Sequence, residues 1–175
     1  RLKETTGDGF YADVQKIALA DTLTLYCFQL PGGGSVFVID APDERIMIDT
    51  GYGIYHEDVL RMFAAYGLGG KDDFTRIILT HGDTDHCGAA GFFNAPVYTH
   101  EGTWDIIKTN NRAWGATTQD LVLEQVYTVM INLFARMTPP EDVILLPGPG
   151  NVMRGEFPVL STFHAGGYCF EILEG

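Results

Sequence analysis

Four metal-competent side chains fall within six residues of this chain. His81, Asp83, Asp85 and His86 sit in Thr80-His81-Gly82-Asp83-Thr84-Asp85-His86-Cys87-Gly88. They follow Arg76-Ile77-Ile78-Leu79, a short apolar run that reads as a buried strand. Gly82 and Gly88 break the pattern and predict a loop. Imidazole suits zinc or iron, and carboxylate suits harder ions, so a strand that ends in this loop is a place to hold a divalent metal. An acidic protein scatters Asp over its surface loops, and a single His-x-Asp would carry little weight. The alternation His-x-Asp-x-Asp-His directly behind a buried strand carries far more.

Composition sets the frame around this loop. A chain of 175 residues, 46% apolar and 19% charged, is long enough for one domain with a real core. Its formal net charge of -12 opposes nucleic-acid binding, which needs a basic surface to displace phosphate counterions. It also opposes docking on anionic lipid. No apolar run is clean enough for a membrane span and no secretory signal is visible. The three cysteines, Cys27, Cys87 and Cys169, are far apart and form no Cys-x-x-Cys pair. That usage fits a reducing compartment, so a cytoplasmic location is expected. Cys87 reads as a small buried residue beneath the metal loop.

Along the chain, Thr5 to Gly9 reads as a loop and Leu23 to Leu30 as a strand. Pro31-Gly32-Gly33-Gly34 is a strong turn signal, and Ser35 to Asp40 and Arg45 to Asp49 continue a β-meander. The period then changes. Val59, Leu60, Met62, Phe63 and Tyr66 fall at helical spacing, with Gly67 as the stop. Phe74 to Thr80 delivers the metal loop, Gly88 to Phe93 opens a short helix, and Pro96 to Thr99 is another strand. His100 lies at that strand's end and is read outside the metal set, and His56 is read as a surface or pocket-edge residue. In residues 104–138, Trp104 and Trp114 precede a helix that is apolar nearly all round, from Leu121 to Met137. Thr117-x-x-Asp120 is its weak cap and Pro139-Pro140 its stop. Such a helix is expected to be buried on most sides. It reads as a lid over an apolar substrate pocket, as a homodimer contact, or as ordinary core. Glu141 to Leu146 and Phe157 to Thr162 are further strands, and His164-Ala165-Gly166-Gly167 is a loop. Phe170 to Leu173 reads as a strand with nothing to pair with.

The segment His81-Gly82-Asp83-Thr84-Asp85-His86 resembles the His-x-His-x-Asp-His motif of the metallo-β-lactamase-fold superfamily, with Asp83 at the second position. Arg45-Ile46-Met47-Ile48-Asp49-Thr50-Gly51 resembles that family's strand ending in Asp-Thr-Gly beneath the active site. Thr162-Phe163-His164-Ala165-Gly166-Gly167-Tyr168 resembles the later segment that supplies another metal-binding His. The resemblance implies an α+β fold, the four-layer αββα sandwich, partly represented in one domain over 1–175, with 104–138 as a helical insertion or lid. The family's domain continues past the His164 segment, so this chain is expected to be part of a longer one.

The resemblance also implies a metal site. His81, Asp83 and His164 would hold a first ion, and Asp85 and His86 a second, so one or two divalent ions per chain, zinc or iron. Its chemistry would be hydrolysis of a small ester, thioester, lactone or similar substrate by a metal-bound hydroxide, with Asp85 as the catalytic residue that orients it and accepts a proton. Asp83 makes the site harder and more anionic than the family's usual His, which favours iron or manganese. The alternatives are a di-iron redox protein of the same fold, acting on oxygen, nitric oxide or sulfur species, and a non-catalytic binding protein with a decayed site.

Overall fold

The computed structural model of the chain describes residues 2–6, 10–109 and 121–174. Eight strands form one sheet in sequence order: β1 (Leu2–Thr6), β2 (Phe10–Ala20), β3 (Leu23–Gln29), β4 (Ser35–Asp40), β5 (Arg45–Ile48), β6 (Arg76–Ile78), β7 (Val97–Thr99) and β8 (Val143–Leu145). The first five pair antiparallel, as short turns between neighbours allow. From β5 onward the pairing is parallel, because helical crossovers return the chain to the same end of the sheet. These crossovers contain α1 (His56–Ala65), the short α2 (Thr84–Cys87), α3 (Glu101–Thr109) and α4 (Leu121–Ala135). A second sheet, in the order β11-β10-β9, is built from β9 (Met153–Arg154), β10 (Phe157–Ala165) and β11 (Tyr168–Leu173).

The central strands are buried on both faces, as parallel strands covered on both sides must be. Met47 and Ile77 enter one core with Phe28, Val38, Met62 and Phe63, beneath α1 and α3. Their neighbours Ile46 and Ile78 point the other way and pack with Leu23 and Ile39 of the same sheet and with Phe163 and Ala165 of the second. The described residues thus make a helix layer, a large sheet and a small sheet. Helix α1 ends as its spacing predicts, with Gly67 in the left-handed region at φ 74°.

Several expectations are corrected. Thr5 and Thr6 belong to β1, and 7–9 lie outside the described residues. The 170–173 segment does not lack a partner. It lies in β11, antiparallel to β10, because Gly166 and Gly167 (φ 58° and 82°) close a two-residue hairpin. Helix α4 is not buried on most sides. Val122, Leu123, Val126, Val129, Met130, Leu133 and Phe134 are all at least half exposed, and among its described side chains only Thr128 and Ala135 are buried. Trp114 and the Thr117-x-x-Asp120 cap lie outside the described residues. No helix among the described residues is long and apolar enough to cross a membrane.

Candidate metal centre

Neighbouring parallel strands β5 and β6 end side by side, and the residues just beyond them carry the site. This is the carboxyl edge, where open α/β sheets place their ligands. Asp49 follows β5 and Thr80-His81 follow β6. The Asp49 amide still donates to the Ile78 carbonyl at 2.9 Å, which holds the two exits in register. The chain then turns through Asp49 at φ 57°. A non-glycine residue in the left-handed region is uncommon, although Asp tolerates it better than most. Such local strain persists where the surroundings over-determine it, and that pattern clusters at functional sites.

Asp49 is 2% exposed and fully engaged. Its Oδ1 accepts the Thr80 backbone N–H at 2.8 Å. Its Oδ2 accepts the Thr80 hydroxyl at 2.7 Å and lies 2.8 Å from His86 Nδ1. The Thr80 hydroxyl oxygen is also 2.9 Å from His81 Nδ1. The two imidazole rings sit with centroids 4.1 Å apart. One ligand atom each from Asp49, His81 and His86 lie within 4.8 Å of one another.

The loop around the rings is fastened to the β5 exit. The Thr50 amide and hydroxyl both donate to the His86 carbonyl, at 2.6 and 3.0 Å. The Ala89 amide donates to the Gly51 carbonyl at 3.0 Å. Beneath it Cys87 is fully buried, its thiol 3.3 Å from the Gly82 carbonyl, as a packing residue would be. Above it runs the Pro31–Gly34 turn. A Cβ on Gly34 (φ 73°) would stand 2.1 Å from the Asp85 carbonyl oxygen, so only glycine allows this approach.

With their Nδ1 atoms occupied by protein partners, the histidines offer Nε2. Each Nε2 faces a carboxylate at the same distance: His81 and Asp83 Oδ2 at 3.4 Å, His86 and Asp85 Oδ2 at 3.4 Å. Two donors each about 2.1 Å from one tetrahedral ion stand about 3.4 Å apart. Each His–Asp pair therefore has the spacing of two donors on one divalent cation, whereas the group that converges within 4.8 Å is Asp49, His81 and His86 and includes neither Asp83 nor Asp85. The side chains of His81 and Asp83 are 46% and 73% exposed, so this pair opens to solvent, whereas His86 and Asp85 are about three-quarters covered.

His164 stands elsewhere. It lies within β10 and not in a loop, opposite Cys169 of β11. Strand alternation sends Phe163 and Ala165 into the core and leaves His164 exposed, outside the group that converges. His100 accepts the Gly102 amide at 3.1 Å at the start of α3, which accounts for it structurally. His56 is not at the surface. It is 9% exposed, stacked on Phe92 with centroids 3.8 Å apart, and its Nδ1 is 2.8 Å from the Gly53 carbonyl. Asp49 was not among the site residues read from the chain. Its signal was the Asp-Thr-Gly after a strand, and its meaning depends on the β5–β6 pairing.

Among curated proteins none matches this chain in sequence. Solved structures match it in fold. A metallo-β-lactamase of Cronobacter sakazakii with an HARLDQ motif superposes with a TM-score of 0.56 at 17% identity, covering 89% of this chain and 52% of that one. BJP-1, a subclass B3 metallo-β-lactamase of Bradyrhizobium japonicum, gives 0.53 at 18% identity, covering 90% and 60%. AidC, a dizinc quorum-quenching lactonase in complex with a product, gives 0.52 at 16% identity, covering 94% and 71%. The chain spans about half the length of the first of these. At these identities the likeness is one of fold. The metallo-β-lactamase superfamily model matches residues 30–160, from the Gly-rich turn through the metal loop and into β10. The chain belongs to the metallo-β-lactamase superfamily.

Proposed function

We propose that this protein is a metal-dependent hydrolase of a small ester, thioester, lactone or similar substrate. The observation that carries the reading is the paired spacing: each free imidazole nitrogen faces one carboxylate oxygen at 3.4 Å, while Asp49 and Thr80 occupy the opposite side of both rings. His81 with Asp83, and His86 with Asp85, would hold one or two divalent ions. A bound ion would supply a Lewis acid for the substrate carbonyl and lower the pKa of a coordinated water. Asp85 Oδ2 would orient the attacking water and take up its proton. The loop's fastening to Thr50 and Gly51 keeps these groups in place without reorganisation. His164 stands in the reading on the family resemblance alone.

The 104–138 segment is proposed as a lid. The end of α4 is tied to the metal loop: the Thr138 amide donates to the Gly88 carbonyl at 2.9 Å, and the Gly91 amide to the Thr138 carbonyl at 2.8 Å. Beyond that anchor the helix carries the exposed apolar side chains that suit an apolar substrate group.

Elemental analysis and an ester, thioester and lactone screen test the proposal, on the chain as it stands and on Asp85→Ala. The expected result is at least one zinc or iron per chain, with metal and turnover lost together in the variant. Unchanged metal content in Asp85→Ala would refute the assignment. Two irons per chain with a visible absorption band and no turnover in the screen would favour the di-iron redox alternative that Asp83 suggested.

A further inference from the structure

We propose that the outward face of α4 is the contact through which two copies of this chain pair, their helices lying antiparallel about a twofold axis. Helix α4 is amphipathic in the opposite sense to a helix on the surface of a monomer, which turns its apolar stripe inward. It packs on α2 and the Gly53–Tyr55 turn, and the described side chains it buries there, Thr128 and Ala135, are polar or small and stand two turns apart on one side. On the other side lie Val122, Val126, Val129 and Leu133, at intervals of four, three and four residues, which is the a/d spacing of a coiled-coil seam. Leu123, Met130 and Phe134 widen that seam along one flank. All seven are between 50% and 74% exposed.

Area, charge and length choose a second copy as the occupant. Seven side chains this exposed present roughly 700 Å² of apolar surface, more than the patch of about 300–600 Å² that a typical monomer leaves open. Two copies together would cover about 1,400 Å², within the range of about 1,200–2,000 Å² that a stable interface needs. The chain carries a net charge of -12, yet Leu121–Ala135 holds a single charged residue, Glu124, at a position outside the stripe. Two anionic bodies approach most easily where such charge is absent. The same count disfavours a membrane surface, since an interfacial helix carries Lys and Arg beside its apolar face. From Val122 to Leu133 the stripe runs about 16 Å, so a small substrate under the lid would cover only part of it. The midpoint of the seam falls between Val126 and Val129. A twofold axis there sets Val126 against Val129 of the second copy and Val122 against its Leu133, each contact made twice, as a closed symmetric pair requires. Antiparallel packing also opposes the two helix dipoles.

The inference is independent of the hydrolase reading, and sedimentation equilibrium on the full 175-residue chain tests it without added metal. The native chain is expected at twice its own mass at about 100 µM. Val126→Glu should weaken association at least about a hundredfold, because it sets an unpaired carboxylate into an apolar contact. Val126 is half exposed in a single copy, so this variant should keep its fold, which circular dichroism checks. Adding Val129→Lys to Val126→Glu should return association to within about tenfold of native, since antiparallel packing sets each new carboxylate against an ammonium of the other copy. A parallel pair would set like charges together and gain nothing from the second change. A native chain that stays monomeric at about 100 µM would overturn the inference and leave the stripe to substrate or to another polypeptide. A dimer that Val126→Glu leaves intact would place the contact elsewhere and overturn it as well. A folded double variant that stays monomeric would overturn the antiparallel pairing.

Discussion

Two strands of this molecule end near a glycine and carry a histidine of interest, and they deliver those histidines very differently. β6 is a central parallel strand. Its exit is flanked by the exit of β5, and the loop beyond it is tied by Thr50, Gly51 and Asp49. β10 belongs to a small antiparallel sheet, and its exit is a two-residue hairpin. At the first, two rings stand with centroids 4.1 Å apart, one bonded to a buried carboxylate and the other linked to it through Thr80. At the second, alternation alone decides, and His164 faces outward while Phe163 and Ala165 face in. A histidine at a strand end becomes part of a site when tertiary hydrogen bonds aim it; strand periodicity by itself aims it at solvent as readily as at a metal.

Asp49→Ala attacks the aimed side of this contrast hardest. It leaves the Thr80 amide and hydroxyl and the His86 imidazole without their acceptor, and a loss of about 3 kcal/mol in urea-denaturation stability is expected, with metal affinity weakened about 10–100-fold. A stability change below about 1 kcal/mol would show that the carboxylate is not the organiser of the loop. Gly34→Ala comes next. It forces a Cβ onto the Asp85 carbonyl at a position of positive φ, and should lower stability by about 2 kcal/mol. Gly167 in the hairpin turn has open space around its Cβ position, so Gly167→Asn should keep its turn and stay within about 0.5 kcal/mol of the native chain.

Thiol labelling sharpens the comparison from beneath. Cys169 on the hairpin is exposed, Cys87 under the metal loop is buried, and burial pushes the Cys27 thiol pKa up, so less of it is thiolate at neutral pH. Iodoacetamide with mass-spectrometric mapping should modify Cys169 first, Cys27 later, and Cys87 at least about tenfold more slowly than Cys169. Fast labelling of Cys87 would mean that the metal loop opens readily. The smallest effect is expected for His164→Ala: metal content within about twofold of native by elemental analysis, since the ring lies outside the group that converges. A loss of metal comparable to that of Asp85→Ala would erase the contrast and restore His164 to the ligand set.

Much of this was legible beforehand. The meander from Leu23 to Ile48, helix α1 with its Gly67 stop, and the strand before the metal loop all follow from period and turn residues. His81 and His86, two of the three groups that converge, stood out by type and spacing; Asp83 and Asp85, read beside them, lie outside that group. Helix α4 shows the limit of such reading: apolar residues on all sides predict burial, but burial needs another surface, and among its described side chains only Thr128 and Ala135 find one. The 170–173 strand shows the same limit in reverse, because its partner is supplied by a hairpin whose closure depends on two glycines at positive φ.

The sequence by itself determined that side chains of cation-binding type emerge from a buried strand, since ligand chemistry and local periodicity are properties of a few consecutive residues. Tertiary structure alone decided which nitrogen each ring offers, that Asp49 joins the loop from 31 residues before Thr80, and that His164 does not. Those outcomes depend on which strands become neighbours, and pairing between distant segments leaves no periodic trace along the chain.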